Sequence, residues 1–408
     1  MAGSVAKRRV FYIPGYDPIH PRRYRELYRK EGAAQARISG YEIALTPGAG
    51  DNHYGWRVTA QIDGAEVAAE VEVLVWSDIV RESMSTSIPA TYLQLIRTAW
   101  EYIATGALRR LMRLRKGPVI AALYPVGMLL GQLTLALMLA YAVARGVGWG
   151  LGQVVPDALA LTVGAALGIA LAVALLRWFK SKDNKLFAYY LMHDYAHAAA
   201  TRGANPPELD ARIDTFADTI AQALREDVDE VLVVGHSSGA HLGVQVLARL
   251  IRAGRVPGEG PALSFLTLGQ VVPMVSFLPR AEALRADLQY LSTRDELAWV
   301  DVTAPGDGCA FALCDPVAVS GVGGPGQRWP LVFSAAFTQT LSPARWQALR
   351  WRFFRLHFQY LCAFDRPGDY DYFRITAGPR TLGARYAARN PSKSRITAPV
   401  NKYTSVAA

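Results

Sequence analysis

The sequence predicts an α/β protein: a mostly parallel sheet with helices on both faces, interrupted by a two-helix transmembrane hairpin. Three observations predict it. Short β-branched and leucine runs such as Val231 to Val234 alternate with amphipathic helical stretches, the pattern of strands covered on both faces. Gly235-His236-Ser237-Ser238-Gly239 carries one such strand straight into a helix through a tight turn. From Gly117 to Ala144, and again from Ala158 to Leu176, no residue is charged. Both runs fall within or above the roughly 17–25 residues that cross a bilayer as a helix.

Taken in order, Arg9 to Ile13 reads as a strand that runs into the turn Pro14-Gly15-Tyr16-Asp17-Pro18. The apolar run Val10 to Ile13 is far too short for a signal-peptide core, so membrane targeting is expected to come from inside the chain. An amphipathic helix follows over Tyr24 to Ala36. Strands are expected at Tyr41 to Leu45, Trp56 to Ile62 and Ala65 to Trp76, the last two joined at Asp63-Gly64, a strong hairpin signal. From Ala90, Leu93, Ile96, Trp100, Ile103 and Leu108 recur at helical spacing into a basic cluster, Arg109 to Lys116.

The two uncharged runs come next, with spans expected over about 118–144 and 158–176. Gly127 with Gly131 and Gly164 with Gly168 are small residues four apart that permit close helix packing. Five basic residues precede the hairpin and Arg177, Lys180, Lys182 and Lys185 follow it, against Arg145 alone in the connection. Positive flanks stay inside. Both termini and the soluble parts are therefore expected in the cytoplasm. Beyond the hairpin, helices are expected over Leu186 to Ala200 and Glu208 to Glu226. Strands follow at Ala262 to Leu268 and Leu297 to Thr303. His193 and His197 stand one turn apart without a matching carboxylate, so no metal site is read there.

Composition narrows the function. Lys+Arg 44 against Asp+Glu 34 makes the chain basic, yet no zinc-finger spacing, ribonucleoprotein motif or P-loop accompanies the charge. An anionic membrane surface is the expected partner, and nucleic acid is not. Cys309, Cys314 and Cys362 form no C-x-x-C pair, which fits a reducing compartment and small core residues. No cofactor or metal is expected.

Gly235 to Gly239 fits G-x-S-x-G, the nucleophile elbow, in which the serine hydroxyl stands above the sheet and the following amide faces a developing oxyanion. Here the chain resembles the α/β-hydrolase superfamily, and within it lipase- and esterase-like members whose elbow often reads G-H-S-x-G. Ala240 departs from the further glycine common in lipases. The likeness covers 1–116 and 177–382, two parts of one catalytic domain. It excludes the hairpin, 117–176, and a basic tail, 383–408, expected to be disordered.

The resemblance implies Ser237 as nucleophile, an acid, then a histidine, in that chain order. Asp307, in the turn Ala304-Pro-Gly-Asp-Gly308 after a strand, fills the acid position, with Asp301 and Asp315 as the other candidates. His357 lies downstream of all three. Trp346 to Leu361 reads as one amphipathic helix, an unusual setting for such a histidine, and a core histidine is the alternative. The amides of Ser238 and, by the likeness, Tyr16 would form the oxyanion hole. Phe353, Phe354, Phe358, Tyr360, Tyr370, Tyr372 and Phe373 are candidates for an acyl pocket or for core. The expectation is a membrane-anchored serine hydrolase acting on a carboxylic ester of lipid or lipophilic type. An acyltransferase or thioesterase would use the same residues, and a membrane scaffold would keep the fold with the serine idle.

Overall fold

A computed structural model of the chain describes residues 3–48, 54–84 and 87–407. The chain divides into two units, Met1–Arg81 with Tyr102–Val119 and Thr201–Ala408, and Glu82–Glu101 with Ile120–Ala200.

The first unit is built on eight strands: β1 Lys7–Ile13, β2 Glu42–Pro47, β3 Gly55–Ile62, β4 Ala65–Val73, β5 Glu230–His236, β6 Ala262–Leu268, β7 Leu297–Thr303 and β8 Leu331–Ser334. Their order is β2-β3-β4-β1-β5-β6-β7-β8. Only β3 runs against its neighbours, and the five strands β1, β5, β6, β7 and β8 pair in parallel without a break. The mostly parallel α/β sheet is thus as expected. β8 was not foreseen, because four residues between Pro330 and Ala335 are too few to show a period.

Alternation decides which face each strand residue covers. Val10, Tyr12, Leu232, Val234, Leu266, Leu268, Val300 and Val302 join one core with Tyr24 and Tyr28 of the helix Arg22–Ser39 and Phe373 of the helix Tyr372–Ala377. On the other face lies the elbow helix Gly239–Arg252, where Gly243 leaves room for the Phe265 ring. Tyr360, Tyr370, Tyr372 and Phe373 belong to the first core and not to an acyl pocket.

One buried charge pair ties β1 to β5. Arg8 Nε donates to Glu230 Oε2 at 2.6 Å, both side chains being fully buried. The remaining Arg8 donors reach the Gly378 and Arg380 carbonyls, while Ser264 Oγ and Leu382 N donate to Glu230 Oε1. Arg8→Met strands a buried carboxylate and is expected to cost about 3–5 kcal/mol in thermal or denaturant unfolding. Arg8→Met combined with Glu230→Gln should recover part of that loss, and no recovery would mean that the pair does not act as a unit.

Two expectations need correction. Trp346 to Leu361 is not one helix: Pro343–Leu349 ends at Arg350, a new helix runs Phe353–His357, and a 3₁₀ turn covers Phe358–Leu361. The break lets Trp346 lie over Gly306 and Phe353 over Gly308, on either side of Asp307. The tail is not disordered either. Ser392 N donates to Val332 O, Ile396 N to Leu313 O at 2.7 Å, and Asn401 Nδ2 to Ser276 O, while Ser405 O accepts from buried Arg285. Hydrogen bonds to main-chain groups, not an apolar pattern, hold it, so composition gives no sign of its order.

The helix Lys116–Leu151, which starts in the first unit and continues into the second, and the helix Asp157–Ser181 of the second unit are both long and apolar enough to cross a membrane. A β-carbon on Gly164 or Gly168 would lie 2.5 Å from the Ala144 or Ala140 carbonyl, so these two glycines allow the helices to approach. Gly127 and Gly131 face open space and take no part. Leu95, Leu129, Ala188, Tyr189, Met192 and Ala196 form a small core, and His193 Nδ1 lies 2.8 Å from Gln94 Oε1. The helix Ile88–Ala104, which runs from the second unit into the first, turns Thr91, Leu95, Thr98 and Tyr102 inward. Its opposite side leaves Leu93, Ile96, Trp100 and Ile103 exposed.

Candidate active site

From β1 the chain crosses to the β2 edge, and from β5 it crosses toward β6, so the carboxyl ends of β1 and β5 flank a topological switch point. Crevices open at such points. The loops found there are Pro14-Gly15-Tyr16 and the Ser237 turn.

Ser237 has φ 57°, a left-handed conformation that costs a non-glycine residue of order 1 kcal/mol or more. The turn is held because Ser237 N donates to Leu268 O at 2.9 Å. Three glycines make the crossing possible. A β-carbon on Gly235 would lie 2.6 Å from Gly239 O, one on Gly239 would meet Ile13 O and Pro14 O, and one on Gly15 would lie 3.4 Å from Ser237 Oγ. The loop after β1 therefore packs directly on the serine. Trp76 Nε1 donates to Pro14 O at 3.0 Å, and the Tyr16 ring stands edge-on to Trp76. Ser238 immediately precedes the elbow helix, at its positive end.

Asp307 receives three hydrogen bonds. Cys309 N donates to Oδ1 at 2.9 Å, and Oδ2 accepts from His357 Nδ1 at 2.7 Å and from Tyr360 Oη at 3.1 Å. The other acids stand apart. Asp315 caps the short helix Pro316–Val319 and accepts from Gln327. Asp301 accepts from Thr267 Oγ1 at 2.6 Å, and its Oδ2 is buried without a partner among the described residues.

Burial pushes the Asp301 carboxyl up to about 8. The folded protein then holds a proton that the unfolded chain, with an ordinary carboxyl near 4, has released. Stability from this group is full at low pH and declines as pH rises through that window toward 8. Asp301→Asn is expected to flatten the decline in thermal unfolding, and an unchanged slope would place the proton elsewhere.

His357 ends the helix Phe353–His357 with its side chain buried. Its carbonyl accepts from His236 Nε2 at 3.0 Å, and the two rings are 4.8 Å apart. Burial holds His236 well below the usual histidine value, so it is neutral, and this bond makes Nε2 its protonated nitrogen. A β-carbon on Gly269 would lie 3.0 Å from His357 Cε1, while the preceding carbonyl, Leu268 O, holds the Ser237 amide. The Leu268-Gly269 turn thus has the serine on one residue and the imidazole on the next. With Nδ1 given to Asp307, Nε2 is the nitrogen left to take a proton.

Tyr360 was foreseen only as a lining aromatic. It accepts from Ala304 N at 2.9 Å and donates to Asp307, and burial keeps its hydroxyl well above the usual tyrosine value, hence protonated. No motif marks it, since the link is spatial across 53 residues. Tyr360→Phe leaves a buried amide unsatisfied and is expected to destabilise the protein by about 1–3 kcal/mol in thermal unfolding.

Asp307, Cys309 and His357 also bring three potential ligand atoms within 4.8 Å of one another. Both Asp307 oxygens are already engaged by N–H and O–H donors, one of them His357 Nδ1, so a cation would have to displace these bonds. The arrangement suits an oriented imidazole better than a metal. No protein family model matches the chain, and no curated protein or solved structure is similar enough to count as a match.

Proposed function

We propose that the chain is a membrane-anchored serine hydrolase of the α/β-hydrolase type, cleaving carboxylic esters of lipid or lipophilic type through an acyl-enzyme on Ser237. The observation that carries the reading is the Asp307–His357 hydrogen bond, with the imidazole packed on Gly269, the residue after the Leu268 carbonyl that holds the left-handed turn at Ser237. Serine, acid and histidine follow in the order of that fold, after β5, β7 and β8.

In the reaction, His357 Nε2 takes the Ser237 proton as Oγ attacks the ester carbonyl carbon. Asp307 holds the imidazole in the required tautomer and stabilises the imidazolium. The Ser238 and Tyr16 amides donate to the oxyanion. The tetrahedral species then expels the alcohol, which takes the proton from His357. Water, deprotonated in turn by His357, releases the carboxylic acid and restores the serine.

The anchor reading rests on the two apolar helices, whose most apolar stretches are only 17% buried. A core helix of a soluble protein would be mostly covered. The outward Leu93, Ile96, Trp100 and Ile103, followed by Arg109, Arg110 and Arg113, add an apolar face with cations close behind, as at a bilayer interface. The basic flanks favour the cytoplasmic side for the unit that carries Ser237.

The test is fluorophosphonate labelling of the full-length protein in membranes, followed by a screen of short-chain and lipid esters. Labelling at Ser237 with ester turnover supports the reading, and a folded protein that takes no label sinks it. Labelling without net hydrolysis, but with transfer to an added alcohol or amine, would make the enzyme an acyltransferase. For the topology, a reporter fused in the loop Gly146 to Pro156 should behave as non-cytoplasmic.

A further inference from the structure

The helix break before His357 leaves a short surface run, Arg350-Trp351-Arg352-Phe353-Arg355, in which all five of these residues are exposed. Trp351 is 72% exposed and Phe353 44%, although both are large apolar residues. Arg350 lies over the Trp351 ring at 5.5 Å. None of the three arginines forms an ion pair with another described residue, and the sequence contains no acidic residue between Asp315 and Asp365. The run begins seven residues before His357, and Phe353 packs on Gly308 beside Asp307. It is therefore part of the rim of the candidate site.

We infer that this rim docks on the anionic leaflet of a bilayer, Trp351 and Phe353 entering the interface while Arg350, Arg352 and Arg355 bind lipid phosphates, so that esters reach Ser237 from an anionic lipid surface. Three things favour a lipid surface over other partners. Tryptophan and arginine each bury an apolar body with a polar end in the headgroup layer, which suits this alternation. The three arginines form no ion pair with a described residue and add three positive charges, so a second copy of the same surface would repel it. The same chain carries two helices long and apolar enough to cross a membrane, and by the positive-inside rule their basic flanks favour the cytoplasmic leaflet, the anionic one. Three arginines near such a surface shift the docking equilibrium by about 100-fold. The substrate part of the inference rests on the serine hydrolase reading, whereas the docking part does not.

The experiment uses full-length protein in nanodiscs of phosphatidylcholine with or without phosphatidylglycerol. A polarity-sensitive fluorophore is placed on Trp351→Cys, with wild type treated identically to correct for Cys309, Cys314 and Cys362. A blue-shifted emission that needs phosphatidylglycerol, and that disappears in Arg350→Gln/Arg352→Gln/Arg355→Gln, is the expected result. An equal shift in phosphatidylcholine alone would overturn the anionic preference, and no shift in either would overturn docking. A shift produced by added RNA and not by phosphatidylglycerol would assign the surface to nucleic acid instead. In a second arm, the ratio of turnover on a vesicle-borne ester to turnover on a soluble short-chain ester should fall about 100-fold in the triple variant. If no ester is hydrolysed by the wild type, the hydrolase reading fails while the fluorescence still decides docking.

Discussion

Ser237→Ala is expected to abolish fluorophosphonate labelling and to lower ester turnover by about 10⁴-fold or more. The size follows from what the hydroxyl does: without Oγ no acyl-enzyme forms, and only binding and the oxyanion amides remain to assist attack by water. His357→Ala should lose as much, because a serine hydroxyl without its base is a weak nucleophile. The double variant should be no worse than either single one, since the two residues act as a unit. Asp307→Asn is expected to fall by about 10⁴-fold while the fold is kept, because an amide in place of Oδ2 favours the wrong imidazole tautomer. Its loss should therefore appear in kcat more than in KM. Labelling that survives His357→Ala but not Ser237→Ala would mean that the base is another group and that the Asp307–His357 pair is structural.

Gly239→Ala is expected to abolish folding of the first unit altogether. Its β-carbon would overlap Ile13 O and lie 2.7 Å from Pro14 O. Overpacking in a core costs typically 1–3 kcal/mol because side chains move aside. Here the obstacles are main-chain carbonyls at the end of a central strand, so that figure is a lower bound against a total stability of about 5–15 kcal/mol. The useful control is Gly254→Ala. Gly254 has φ 64° but open space around it, so alanine there meets only the backbone penalty of about 1–2 kcal/mol. Circular dichroism with heating, and recovery of membrane-inserted protein, should separate the two. A Gly239→Ala protein that melts like wild type would show that β1 and the elbow are not as closely joined as the geometry requires.

The elements of the site are not equally legible in the sequence. The elbow was readable because its chemistry and its steric needs fall within five consecutive residues, Gly235 to Gly239. Asp307 could be ranked above Asp301 and Asp315 from its place in a turn after a strand, and the structure puts it, not the other two, on the imidazole. Tyr360 could not be found that way, because its role depends on Ala304 and Asp307 arriving from another element. The sharp end of the helix at Arg350 was equally hidden. Helical periodicity continues through it, and the ring positions over Gly306 and Gly308 exist only once the turn at Asp307 has formed. Likewise the tail lacks apolar periodicity because its order comes from main-chain bonds to Val332 and Leu313 and from the Asn401 side-chain bond to Ser276 O.

The place of the apolar helices in the chain bears on how the protein is made. β1 pairs on one side with β4, which ends at Val73, and on the other with β5, which begins at Glu230. At about 5–20 residues per second, the stretch between them takes roughly 10–30 s to synthesise. For that interval β1 is an open edge with unpaired main-chain donors, while the two apolar helices emerge from the ribosome and become available to the insertion machinery. The two apolar helices are thus made before the sheet can close, and the turn at Ser237, which follows β5, is assembled only afterwards.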